Sequence, residues 1–225
     1  MRSLQQFLDA APWMRSLDAV QQASVSADIL VRDFAANALV CRKNEEVLFW
    51  VGVIDGLVKI SSVSLEGKQV SFTGVPTGGW LGEGSLLKDE PRRYDVVALR
   101  ETRIAFMPKS TFNALLASDI SFNRFLLEQI NERLGQFIGT VEFDRLLGPN
   151  ARLARCVAQL FNPLLCPGQG NRLEISQVEL GYLTGLSRQR TNQALQVLQD
   201  AGLLKVDYGS VDVLDLEALR RFEAG

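Results

Sequence analysis

The chain has 225 residues, 47% hydrophobic and 22% charged, with a net charge of −2. That length and balance fit a folded protein of two domains, with no disordered tail, and confine any nucleic-acid surface to a local patch. The absence of histidine removes His-ligated zinc or haem, Ser-His and Cys-His catalysis and an imidazole base, and three cysteines without CxxC spacing argue against a disulfide framework or a thiolate metal site.

The N-terminus, MRSLQQFLDAAPW, is interrupted by Gln5, Gln6 and Asp9 and lacks the apolar core of a signal peptide. The longest apolar run, Val47 to Ile54, is far shorter than the ~20 residues of a membrane span, so a cytoplasmic protein without membrane contact is expected. The first region, 1–117, opens with short helices in LQQFLDAAPWMRSLDAVQQAS. Strand-like runs follow in EEVLFWVGVIDGLVKISSVS, KQVSFTGV and RRYDVVALRETRIAFMP, split by turn residues such as Asp55-Gly56 and Glu66-Gly67. Short strands at this spacing suggest a jelly-roll sandwich or barrel.

The second region, 118–147, contains no proline. Leu127, Ile130, Leu134, Phe137 and Val141 recur at alternating steps of three and four, the period of a seam along which two helices stay in contact. A dimerisation helix is expected, ended by Gly148-Pro149 as a hinge. The third region, 148–225, starts with the amphipathic ARLARCVAQLFNPLL. Ser176 and Glu179 have the spacing of a capping box, Thr184-Gly185 ends that helix, Ser187 caps the next, and Gly202 stops it. LLKVDYGSVDVL reads as two short strands around Asp207 to Ser210, before a last helix from Asp215.

Helix, tight turn, helix and hairpin make a winged helix-turn-helix. Gly181 is placed where the two helices cross closely, and Gly185 in the turn, where a left-handed conformation is needed. Leu180, Leu183, Leu186, Ala194, Leu195 and Leu198 supply buried faces, which leaves Arg188, Gln189, Arg190, Asn192, Gln193 and Gln196 outward. Arginine can grip guanine O6 and N7, and glutamine or asparagine adenine N6 and N7, from a helix whose N-terminal end enters the major groove. Ser176, Gln177 and Ser187, at the helix starts, suit phosphate. Double-stranded DNA is therefore the expected partner.

With these residues in place, the chain resembles the Crp/Fnr family of bacterial transcription regulators along nearly its whole length. The resemblance rests on the order of parts and on two motifs, ISQVELGYLTGLSRQRTNQALQVLQDAGLL and GGWLGEGSLLKDEPRRYDVVAL. It implies an α+β fold with an N-terminal β jelly-roll (double-stranded β-helix) sensor, a long dimerisation helix and a C-terminal winged helix-turn-helix. It also implies a homodimer on a palindromic operator, with half-sites about one turn, or ~34 Å, apart, and RNA polymerase as a candidate further partner. The second motif resembles the family's phosphate-binding cassette, a Gly-Glu pair followed at a set distance by an arginine; here these are Gly82, Glu83 and Arg93. By resemblance, Arg93 would grip a phosphate and Glu83 a ribose hydroxyl, in a candidate effector site that also takes Gly84, Ser85, Arg92, Tyr94, Phe137 and Ile138.

Three departures point away from cAMP. Tyr94 follows the arginine where cAMP binders carry a small hydroxyl residue, Phe137 and Ile138 stand where they offer Thr and Ser to the adenine, and an inward Asp95 would set a negative charge beside the phosphate. A cassette without ligand, or one for another small molecule, is expected, with no cofactor and no metal. No cysteine precedes Cys41, which argues against an Fnr-type cluster, and the lack of histidine argues against a haem sensor. The run GGWLGEG lacks GxGxxG spacing and is not expected between a strand and a helix, so a dinucleotide loop is set aside. Arg188, Gln189 and Gln193 stand where the best-known member has Arg, Glu and Arg, which predicts a different operator. The alternatives are a cyclic-nucleotide-binding regulatory protein whose C-terminal domain docks a protein partner, and an enzyme, for which Glu83 and Arg93 have no accompanying nucleophile or metal constellation.

Overall fold

The computed structural model describes residues 2–64 and 66–223; the outermost bounds expected above, 1 and 225, lie outside the described residues. Helix α1 (Leu4–Ala10), a 3-10 turn (Pro12–Ser16) and α2 (Ala19–Asp28) open the chain. Both helices start because a capping box satisfies their first N–H groups, Ser3 with Gln6 and Asp18 with Gln21.

The strands form two antiparallel four-stranded sheets. One contains β1 (Leu30–Phe34), β8 (Thr102–Pro108), β3 (Phe49–Asp55) and β6 (Trp80–Leu81), in that order. The other contains β2 (Leu39–Cys41), β7 (Asp95–Ala98), β4 (Leu57–Val63) and β5 (Gln69–Pro76). The turn read at Asp55-Gly56 is a corner at which the chain leaves one sheet for the other. Gly56 has φ 115°, and a Cβ there would lie 2.5 Å from Thr102 Oγ1. Between the sheets, Val51, Val53, Val58, Ile60, Val75, Val96 and Ile104 form the sandwich core. Strand β3 is buried on its other face too, where Trp50 and Ile54 meet Phe7, Trp13 and Phe122. That two-sided burial explains why the strand itself, Phe49 to Ile54, reads as an unbroken apolar run. Trp50 stacks on Trp80 with ring centroids 4.2 Å apart.

After α4 (Lys109–Ser118), Asp119 caps the long helix α5 (Ile120–Leu146) by accepting from the Phe122 N–H at 2.6 Å. Its first turns bury Phe122, Phe125, Leu126 and Gln129 against the sensor half. Gly148 then caps α6 (Pro149–Gln159), with Pro149 at the first helical position, where its missing N–H has no helical acceptor to lose. The C-terminal unit continues with β9 (Arg172–Leu173), α7 (Gln177–Thr184), α8 (Arg188–Asp200), β10 (Leu204–Asp207), β11 (Ser210–Val213) and α9 (Leu216–Arg221). The wing has three strands rather than the two expected, because β9 pairs with β11.

The two halves are docked on each other. Leu57 and Leu99 of the sensor belong to the core cluster that also holds Leu180 and Leu195. A Cβ at Gly74 would lie 2.9 Å from Leu160, and one at Gly78 would collide with the Pro167 carbonyl. Lys59 sits 5.0 Å over the Tyr182 ring, and Arg100 pairs with Glu174 at 2.8 Å. Among the described residues, no helix is long and apolar enough to cross a membrane.

Candidate nucleic-acid interface and sensor cavity

The geometry of the bihelical unit follows from its caps and glycines. Ser176 Oγ accepts from the Glu179 N–H at 3.2 Å, and the Glu179 carboxylate accepts from the Ser176 N–H at 2.5 Å. Gly185 ends α7 in the left-handed region at φ 66°. A Cβ at Gly181 would lie 3.1 Å from the Leu186 carbonyl oxygen and 3.3 Å from Thr191 Oγ1, so α8 passes close by. Ser187 Oγ accepts from the Arg190 N–H at 3.4 Å. Thr191, Ala194, Leu195 and Leu198 are buried, whereas Arg188, Gln189, Arg190, Asn192, Gln193 and Gln196 are exposed. Ser187 and Gln177 are exposed as well, with Ser176 half-buried. The helix thus presents a continuous polar front at its N-terminal end, where free N–H groups and the positive end of the dipole favour phosphate. At the wing tip Gly209, with φ 74°, turns the chain and leaves Tyr208 fully exposed. Arg172 ties the wing together through Asp212, at 2.8 Å, and Ser210, at 2.7 Å.

In the sensor, Gly82 at φ 98° links β6 to the short helix α3 (Glu83–Lys88). The GGWLGEG run therefore does lead from a strand into a helix, contrary to expectation, although it still lacks GxGxxG spacing. The two arginines of the cassette also differ from the sequence reading. The Arg93 side chain is 69% exposed and pairs with Glu90 at 2.9 Å, so Glu83 and Arg93 do not meet. Glu83 is buried and its Oε1 accepts instead from Arg133 Nε at 3.0 Å, while Arg133 also donates to the Trp80 carbonyl. The inward arginine is Arg92, whose Nη1 would lie 2.9 Å from a Cβ at Gly82. Arg92 precedes β7 and is tied to the Arg42–Glu45 turn: its N–H donates to the Glu45 carbonyl at 2.9 Å and its carbonyl accepts from the Asn44 N–H at 2.7 Å. Asp95 accepts from the Lys43 N–H at 2.8 Å and is not turned toward the cassette. Burial, with the Glu83 carboxylate adding to it, raises the Tyr94 phenol above its usual range.

A cavity of about 590 Å³ lies between α3 and α5. Its walls include Ile60, Phe72, Leu87, Ile130 and Phe137, with Gly84, Glu83, Arg93, Tyr94 and Arg133 supplying its polar points. Ser85 is buried outside this lining, and Ile138 is exposed and also outside it. Arg133 is the residue that sequence reading missed. Its signal was a cation three positions after Ile130 on the helix face that meets the cassette.

Residues 31–119 match the family model of the cyclic nucleotide-binding domain, and residues 151–222 match that of the Crp-like helix-turn-helix domain. The chain is similar to the cAMP-activated global transcriptional regulator CRP of Haemophilus influenzae, 24% identical over 174 residues that span 76% of this chain and 78% of that protein. The chain belongs to the Crp/Fnr family of transcription regulators. A second Crp/Fnr-like relative is the HTH-type transcriptional regulator Cmr of Mycobacterium tuberculosis, 27% identical over 200 residues, or 88% of this chain and 78% of that one. In fold, this Crp/Fnr regulator is similar to FixK2 from Bradyrhizobium japonicum, with a TM-score of 0.71 at 15% identity over 88% of this chain and 98% of that one.

Within this Crp/Fnr architecture, α5 carries an apolar stripe past its buried first turns. Leu127 is 70% exposed, Phe137 43%, and Leu134 and Val141 are exposed beside them, with Ile130 half-buried at the cavity.

Proposed function

We propose that this DNA-binding Crp/Fnr regulator works as a homodimer on a palindromic operator. Residues 1–117 act as sensor, 118–147 as the dimer helix and 148–225 as the DNA-binding domain. Arg188, Gln189, Arg190, Asn192 and Gln193 face base edges in this reading, and Ser176, Gln177 and Ser187 face phosphates. The observation that carries it is the front of α8: its polar side chains stand outside while Ala194, Leu195 and Leu198 on its other side close the domain core. The exposed α5 stripe supports a second copy of the chain as the element that sets two such fronts about one turn, ~34 Å, apart. RNA polymerase is the further partner this reading implies.

The effector is a small molecule other than cAMP. Arg133 already occupies Glu83, Arg93 lies on Glu90 at the surface, and Tyr94 and Phe137 line the cavity with rings. A ligand wedged between α3 and α5 would act on the hinge at Gly148 by tilting the dimer helix. An electrophoretic shift of genomic fragments at modest salt tests the reading. Retarded bands that survive competitor DNA are expected; a folded protein that retards no fragment with or without cell extract contradicts it.

A further inference from the structure

The start of α7, where Ser176 and Gln177 face phosphates in the reading above, carries two carboxylates. Glu174 lies two residues before the cap Ser176, and its side chain is 70% exposed. Two residues of chain span at most ~7 Å, which is inside the ~10 Å over which charges act at 0.1 M salt. The Glu179 carboxylate is nearer still, since it accepts from the Ser176 N–H at 2.5 Å. Left alone, both would repel a phosphate held at this helix end.

The cations that meet these carboxylates come from the other half of the chain. Arg100, in the loop between β7 and β8, pairs with Glu174 at 2.8 Å. Lys59 of β4 is buried and lies 5.0 Å over the Tyr182 ring, three positions and so about one helical turn beyond Glu179. Burial lowers both cations below their usual ranges; Glu174 and then Glu179 draw Arg100 back up, with a smaller pull from Asp55, and Glu179 does the same for Lys59. Apolar contacts at Leu57 and Gly74 already join the two halves, and desolvating cations at such a boundary opposes docking. Their placement over the carboxylates of α7 gives them a different role.

We propose that Arg100 and Lys59 are positioning residues for DNA binding, acting through Glu174 and Glu179. Docked, the sensor half cancels two negative charges beside the phosphate-facing end of α7; undocked, it uncovers them. The sensor thereby sets DNA affinity without touching α8 and without altering which bases are read, because phosphates carry no sequence information. The inference rests on the placement of Ser176 and Gln177 against phosphates in the proposed function.

Fluorescence anisotropy of the full-length protein, on a genomic fragment that it retards and on an unrelated fragment, tests this. Arg100→Met should weaken binding to both about five-fold at low salt, because each dimer uncovers two carboxylates, and the loss should shrink at high salt. Adding Glu174→Gln to Arg100→Met should restore wild-type affinity, although the bridge between the halves is still missing. A role confined to joining the halves would leave the double variant weak. Glu174→Gln alone changes an exposed side chain and should bind about two-fold more tightly, which decides the matter should Arg100→Met fail to fold. Wild-type affinity in Arg100→Met, a loss on one fragment only, no rescue in the double variant, or Glu174→Gln no tighter than wild type overturns the proposal and leaves the DNA reading intact. A wild type that binds neither fragment overturns both.

Discussion

Arg188 stands at the first position of α8, exposed at the N-terminal end of the helix. Its removal should leave folding and assembly alone and cost about 1–3 kcal/mol of discrimination at one base pair of each half-site. Competition binding of Arg188→Ala with single-base operator variants checks this, and sedimentation checks that the oligomer is intact. The Glu83–Arg133 pair behaves differently, because Glu83 is buried, Arg133 is half-buried over it, and Arg133 bridges two elements. Arg133→Met leaves a buried carboxylate alone and should cost about 3 kcal/mol, whereas Arg133→Met with Glu83→Gln should recover much of that loss. Urea unfolding of the two variants measures it. The thiols set a pH dependence. Burial pushes Cys156 and Cys166 up to about 12, while in the unfolded chain each titrates near ~8.5. Between those values the unfolded chain binds fewer protons, so stability falls as pH rises through that window. The urea midpoint at alkaline pH should therefore drop below that at neutral pH, and Cys156→Ala with Cys166→Ala should flatten the decline.

At the scale of elements, α5 is two helices in one. Its first turns are glued to the aromatic cluster by Phe122 and Phe125, while its later turns expose Leu127, Leu134, Phe137 and Val141. Phe137→Asp places a charge on that stripe without touching the buried turns, so it should give folded monomers with much weaker operator binding. Light scattering and anisotropy check both halves of that outcome. Elements whose stabilising pattern is local were legible from the residues. Helices α7 and α8 carry their caps, turn glycine and apolar period within Ser176 to Gly202, and the corner glycines and wing turn are read in the same way. Strands β1, β2, β6 and β9 and helix α3 were not legible. They are short, and what holds them is distant in sequence: Leu30 of β1 pairs with Phe106, and Leu173 of β9 with Val211. The cassette shows the same limit at single-residue resolution. Two adjacent arginines look alike in the chain; Arg92 turns in where its backbone is bonded to Asn44 and Glu45, almost fifty residues earlier, and Arg93 turns out to Glu90. Arg133 escaped notice because its partner Glu83 lies fifty residues earlier, a separation that no local pattern reports.

At the scale of the whole molecule, the sensor and DNA-binding halves share a core. Leu57 and Leu99 extend the winged-helix cluster, and Lys59–Tyr182 and Arg100–Glu174 cross the same boundary. In the proposed regulator, a shift of strands β4 and β5 would pass to α7, which they touch through Lys59–Tyr182 and Gly74–Leu183, and α7 packs beside α8. The central claim is that two copies of α8 enter successive turns of one DNA face. Hydroxyl-radical footprinting of the full-length protein on fragments enriched from genomic DNA tests that most directly. Two equivalent protected patches, inverted in sequence and centred about one turn, ~34 Å, apart, are the expected result. A single patch, or uniform protection without sequence symmetry, would contradict it.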